Sequence, residues 1–465
     1  MMKIQTDLKP LALRAKIERL WEVSGPKILA IDRSDVPGAA TPVYTVNGKY
    51  TARGWTEWTQ GFVYGSAILQ FDAFWDEQYL KLGRDRTIQR MAHHVTHTGV
   101  HDHGFNNVST YGNLWRLMLE NRLPANDRER DFYELALKCS GAVQASRWTH
   151  IANGEGFIHS FNGPHSLFAD TIRSLRSLAL SHQLGHVLMG ERDEKISLLR
   201  RLVEHARTTA KYAVYYGSNR DIYDVRGRVA HESIFNIADG SYRCPNSQQG
   251  FSPFTTWTRG LAWIILGYTE LLEFVATLGD AELEKVGGRD AIEAVMLNAA
   301  QATCDFYIEN TPTDGIPYWD TGAPGLVRLG EYLERPADPF NEHEPVDSSA
   351  AAIAAQGLLR LGHYLTATGK VQEAQRYWQA GLTVVSGLFA EPYLSTDPNH
   401  QGLILHSVYH RPNGWDYIHS GRRVPCGESS MWGDYHAREL ALYVQRTYEG
   451  KPYLTFFGGA KKPVS

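Results

Sequence analysis

Residues 249–263 read QGFSPFTTWTRGLAW, a stretch that sets an amide, two indoles and a guanidinium around the start of a helix. Gln249, Trp257, Arg259 and Trp263 fit an aromatic-walled pocket with a few directional polar groups, the usual way a sugar ring is held. They equally fit a well-packed helix start whose indoles are core, because tryptophan is mostly buried whatever its role. The residues of this stretch alone leave both readings open.

Outward from this stretch the chain alternates amphipathic helical segments with loops rich in Gly, Pro, Asn and aromatics. Periodicity predicts about twelve helices, near 10–23, 58–76, 86–97, 105–120, 129–146, 165–184, 192–216, 257–276, 282–309, 348–368, 371–390 and 431–448. Strand-like alternation is brief, near 49–52 and 402–406. No low-complexity linker or composition shift divides the chain. Six helical hairpins closed into an all-α toroid, an (α/α)6 barrel forming one domain over 1–465, fit these facts. An open solenoid is the rival, but no repeat of fixed period is visible.

The 465 residues, 43% hydrophobic and 21% charged, are enough to bury a large core. With 47 Lys and Arg against 51 Asp and Glu and no long basic run, nucleic acid is not an expected partner. Cys139, Cys244, Cys304 and Cys426 match no zinc spacing and read as free thiols of a reducing compartment. The first twenty residues lack the apolar core of a secretory signal, and no run of about 18 apolar residues occurs. The expectation is a cytoplasmic protein with no membrane partner; its oligomeric state is not readable.

Two further segments carry chemistry. In MAHHVTHTGVHDHGFNN, residues 91–107, His93, His94, His97, His101 and His103 crowd around Asp102. His93 and His97 have a possible metal-ligand spacing, but no second pair of ligands is specified, and the expectation is no metal. Asp102 is either a helix N-cap or a site acid. In residues 163–185, a helix starting near Pro164 places Phe168, Ile172, Leu175 and Ala179 on its apolar face and Asp170, Ser174, Ser177 and Ser181 on a small polar stripe. An aspartate near a helix N-terminus is stabilised as the anion. Acting as a proton donor requires burial against aromatics, or a nearby carboxylate such as Asp102, to raise its pKa. Two acids whose pKa values are pulled apart are the usual material of acid/base catalysis on glycosides.

Taken in order, Trp58-Thr-Gln-Gly61-Phe62, His101-Asp102-His103-Gly104-Phe105, Asp170, His231, the 249–263 stretch, GIPYWD at 315–320, VDSSAAAIAAQGLL at 346–359 and GESSMWGDYHARELAL at 427–442 resemble the unsaturated glucuronyl hydrolases, glycoside hydrolase family 88. The related unsaturated rhamnogalacturonyl hydrolases of family 105 share fold and chemistry. The resemblance implies an (α/α)6 barrel, without cofactor, acting on the 4,5-unsaturated uronic acid at the non-reducing end of lyase-generated oligosaccharides. It implies Asp170 as general acid/base and Asp102 as support for the site and for ring hydroxyls. It further implies Trp58, Trp257 and Trp263 as aromatic walls, with His101, His231, Gln249 and Arg259 as substrate-binding residues. The family usually follows its acid with Cys or Ser, two apolar residues and Asn, whereas Asp170 is followed by Thr171, Ile172, Arg173 and Ser174. An (α/α)6 lyase or epimerase would instead use a base such as His231 or Tyr242, and a binding relative would need no paired acids.

Overall fold

The computed structural model describes residues 1–34, 40–53, 57–124 and 126–457. Among the described residues, twelve main helical elements alternate between an outer and an inner ring. The outer ring is α1 (Arg14–Ser34), α3 (Glu77–Arg90), α5 (Asp127–Ser146), α7 (Leu198–Tyr212), α9 (Arg289–Glu309) and α11 (Val371–Leu388). The inner ring is α2 (Gln60–Phe74), the segmented α4 (His103–Asn106, a π turn Val108–Gly112, then Asn113–Leu119), the segmented α6 (Thr171–Ser174 and Arg176–Gln183), α8 (Thr258–Val275), α10 (Ser348–Ala367) and α12 (Met431–Tyr448). Each inner helix packs on the next, and α12 returns to α2, so the toroid closes as expected.

Sequence separates the rings. In α7, Leu198, Leu199, Leu202, Val203, Ala206 and Ala210 form one buried stripe, while Arg200 and Lys211 face outward. Every residue of α8 is buried, as befits a helix covered on all sides. Small residues set how closely the inner helices approach. A Cβ on Gly357 of α10 would lie 2.9 Å from the Ile265 carbonyl carbon and the Leu266 nitrogen of α8, so the two backbones touch there. No helix among the described residues is long and apolar enough to cross a membrane.

Several boundaries differ from the sequence expectation. The helix expected to end near 23 runs on to Ser34 through Pro26, supported in the adjoining turn by Gln70, which donates to the Trp21 carbonyl at 3.2 Å. The helix expected over 86–97 begins instead at Glu77, because the Asp76 side chain accepts from the Gln78 amide at 3.0 Å and caps it. The one expected over 165–184 opens as the strand Ser166–Phe168, which pairs antiparallel with Glu232–Phe235, a partner too remote in sequence for local periodicity to register. The strand near 49–52 is present as Lys49–Thr51, whereas 402–406 contributes only an isolated bridge between Leu394 and Ile404.

The buried arginines of α6 and α10 are neutralised inside the barrel. Arg173 meets Glu270 at 2.8 Å and Glu439 at 3.2 Å, and Arg360 meets Glu273 at 2.7 Å. Arg176 approaches Glu439 at 3.6 Å and donates to the Gly104 carbonyl at 2.8 Å, tying α6 to α4. Four partners supplied by three other inner helices make these arginines affordable in a core.

Candidate active site

The inner helices all begin at the same end of the barrel. Trp58, Asp102, Asp170, Trp257, Asp347 and Ser430 each stand within two residues of an inner-helix start. Six N-terminal helix ends with their partial positive charge therefore converge on one funnel, a field that favours anionic groups. A cavity of about 220 Å³ opens there. Trp58, His101, Asp102, Asp170, Gln249, Trp257, Arg259 and Trp263 all line it, so eight of the nine residues singled out from the sequence meet in one place.

Asp102 and Asp170 occupy N-cap positions, yet neither side chain makes a capping hydrogen bond. Both are left free for the cavity. His101 stands between them, its Nε2 at 3.1 Å from Asp170 Oδ1 and 3.9 Å from Asp102 Oδ1. Ser174 holds this arrangement: its hydroxyl donates to the His101 carbonyl at 2.7 Å and accepts from the Gly104 amide at 2.8 Å. The two carboxyls are driven apart, in the opposite sense to the sequence expectation. Burial raises the proton affinity of Asp102, and Asp170 adds to that rise, while the charge of His101 opposes it. Burial acts on Asp170 in the same direction but is outweighed by the hydrogen bond and charge of His101, with His231 and Arg259 adding to it, so its pKa falls.

The walls are aromatic. Trp58 stacks on Trp432 at 5.0 Å, and Phe105 bridges Trp58 at 6.0 Å and Trp263 at 4.9 Å. The Arg259 guanidinium lies between the rings of Trp257 at 4.6 Å and Trp432 at 4.8 Å. It pairs with Asp347 at 2.9 Å and donates to Gln249 Oε1 at 3.0 Å, to the Tyr409 carbonyl at 2.7 Å and to the Val408 carbonyl. Arg259 is thus a neutralised strut, and by occupying the Gln249 oxygen it fixes which way that amide presents its NH2.

His231 does not line the cavity. Its Nδ1 accepts from the backbone amides of Gln248 at 3.0 Å and Gln249 at 3.2 Å, which places its proton on Nε2. Burial brings its pKa down to about 4, so it is neutral near neutral pH. Its ring packs on Phe168 at 4.6 Å and Trp257 at 4.7 Å, steadying the wall from behind. Tyr242, the alternative base, lies outside the cavity, stacked on Tyr212 at 4.9 Å and pushed up to about 12 by burial.

The loop HRPNGWD, residues 410–416, closes the mouth and was not singled out in the sequence, although a Pro-Asn-Gly turn flanked by Tyr409, His410 and Trp415 was a readable signal. Asp416 accepts the amides of Tyr409 and His410 and holds the loop in place. Trp415 packs on His410 at 4.9 Å and Tyr409 at 5.2 Å. Gln248 and Phe161 complete the lining.

The histidine cluster resolves into supports. The helix carrying His93 ends at Val95, so His93 and His97 do not share a helical face. Among the described residues Glu57, His93 and His94 are near enough to hold an ion. His94, however, accepts from Asn106 at its Nδ1 (3.1 Å) and meets Gln60 Oε1 through Nε2 (2.8 Å), leaving it no free lone pair for a metal.

No family model matches the sequence. The chain is 26% identical over 408 residues to an unsaturated glucuronyl hydrolase of Bacillus sp. (strain GL1), covering 88% of this chain and 91% of that protein. It is 25% identical over 387 residues to one of Formosa agariphila, covering 82% and 78%. The solved structure of the unsaturated glucuronyl hydrolase from Bacillus sp. GL1 superposes with a TM-score of 0.69 at 22% identity over 92% of this chain and 97% of that one.

Proposed function

We propose that this chain, a homologue of the unsaturated glucuronyl hydrolases of glycoside hydrolase family 88, is a glycoside hydrolase that removes a 4,5-unsaturated uronic acid from the non-reducing end of lyase-generated oligosaccharides. The observation that carries this reading is the pair of uncapped carboxyls, Asp102 and Asp170, joined through His101 inside a tryptophan-walled cavity. A pure binding site has no use for two acids whose proton affinities are separated.

In this reading Asp170 delivers a proton to C4 of the vinyl ether, water adds at C5, and Asp170 takes a proton back from that water. The hemiketal so formed opens to a keto sugar and releases the aglycone. Asp102 supports the site and the ring hydroxyls, and His101 orients Asp170. Trp58, Trp257 and Trp263 form the walls. Gln249 presents its amide NH2 to the substrate, positioned by Arg259 and, from behind, by His231. Proton transfer to carbon benefits from an acid fixed in a water-poor pocket, which the aromatic lining provides. A base-first lyase or epimerase is disfavoured because His231 and Tyr242 both lie off the cavity. We place the protein in the cytoplasm on its four unpaired thiols.

The test is ultraviolet absorbance of the conjugated uronate in a panel of lyase-generated unsaturated disaccharides, with wild type and Asp170→Asn. Loss of absorbance that depends on Asp170 is expected. Binding without any loss of absorbance would sink the hydrolase reading.

A further inference from the structure

The cavity has an unusual balance for a site that takes an anion. Its charged lining residues are two carboxyls, Asp102 and Asp170, one guanidinium, Arg259, and the His101 imidazole. The imidazole lies 3.9 and 3.1 Å from the two carboxyls, which outweigh its burial and raise its pKa, so that one cation is shared between two acids. Asp347 neutralises that guanidinium at 2.9 Å, and its remaining contacts go to Gln249 and to the carbonyls of Val408 and Tyr409. A uronate entering this space meets two acids and no cation that is free of a counter-charge among the described lining residues.

The surrounding groups cannot correct the balance by taking a proton near neutral pH. His231, His103, His159 and His410 are each brought down to about 4, and His205 to about 3, in every case chiefly by burial. Arg147, at the end of α5, also acts on Asp102, and it is committed to the carbonyls of Thr98, His159 and Ser160. A third anion among buried acids raises the proton affinity of all of them. The place left for a proton is the set Asp102, His101 and Asp170, which His101 links at 3.9 and 3.1 Å.

Resting on the hydrolase reading, we infer that binding of the substrate carboxylate drives uptake of a proton by the Asp102–His101–Asp170 cluster, so that the substrate itself loads the acid that will attack its double bond. The empty site holds Asp170 as an anion against His101; the occupied site holds the proton that C4 requires. The proton comes from solvent on binding and returns to solvent when the product leaves, so the overall hydration consumes none. Recognition and chemistry are thereby linked, and a neutral analogue fits the walls without arming the acid.

The experiment is rapid mixing of wild-type protein with an unsaturated uronyl disaccharide in weakly buffered solution containing a pH-indicator dye, with the double-bond absorbance followed in parallel. The expected result is uptake of about one proton per site before the absorbance falls, and little uptake with the methyl ester of the same disaccharide. Loss of the double bond with no preceding uptake, or equal uptake with the methyl ester, would overturn the inference while leaving the hydrolase reading in place. Absence of both binding and absorbance loss would overturn the hydrolase reading itself, and the two failures are thereby told apart.

Discussion

The Arg259–Asp347 pair offers the sharpest test of how this site is held. Both side chains are buried, and Asp347 also caps α10 by accepting from the Ser349 amide at 3.0 Å. Asp347→Asn keeps the shape and the capping oxygen, since Asn caps about as well as Asp, but leaves the guanidinium without its counter-charge. Removing one partner of a buried pair costs about 3–5 kcal/mol. The same change frees Arg259 to pull away from Gln249 and from the 408–409 backbone, so kcat/KM falls as well. Arg259→Met, leaving the carboxylate unpaired, is expected to cost a similar amount. The double variant removes both charges together and should cost less than the sum of the singles by about 1–3 kcal/mol. Urea unfolding followed by tryptophan fluorescence and circular dichroism measures this cycle where the two transitions coincide. Additive losses in the double variant would refute the claim that Arg259 is neutralised by Asp347 rather than available to the substrate.

Two further outcomes follow from the packing and the titrations. A Cβ on Gly104 would lie 2.3 Å from the Ser174 carbonyl oxygen and 2.6 Å from its Cα, both backbone atoms of α6. Gly104→Ala should therefore cost about 1–3 kcal/mol by overpacking and, by prising α4 from α6, lower kcat more than it raises KM; unchanged kcat in a folded variant would contradict that. His205 is buried, accepts from the Ile158 amide at 3.0 Å and has its pKa lowered from 6.5 to about 3. Its contribution is present above the unfolded pKa and is lost as pH falls toward the folded one. Over that window His205→Gln should show a pH dependence of unfolding free energy flatter than wild type by up to ~1.4 kcal/mol per pH unit, and an identical slope in the two proteins would refute the assignment.

The helices were legible from periodicity, and their closure into a toroid from the family resemblance, since periodicity alone left an open solenoid as the rival. In the structure α7 of the outer ring carries a single apolar stripe, whereas α8 of the inner ring is buried along its whole length with Arg259, Glu270 and Glu273 paired, and residues 346–359, which enter α10, are dense in alanine. Trp58, Trp257, Asp102 and Asp170 stand just before inner helices and Trp263 lies inside α8; local sequence left each open between a core or capping role and a site role, and the family resemblance singled them out. Boundaries failed where a remote partner decided the local conformation, as when Glu232–Phe235 drew Ser166–Phe168 into a strand.

By itself, then, short-range periodicity determined the alternation of helices and loops, while the closed ring and the residues gathered at its mouth were readable only through motifs that resemble a known family. Only the tertiary structure decided what those residues do to one another. It placed Asp347 and the 408–409 carbonyls around Arg259, taking up the charge expected for the substrate. It moved His231 behind the wall and brought the 410–416 loop over the cavity. It put His101 between two acids and so reversed the expected order of their proton affinities. Such outcomes depend on distances between segments far apart in the chain, and electrostatic interaction follows distance in space rather than separation in sequence.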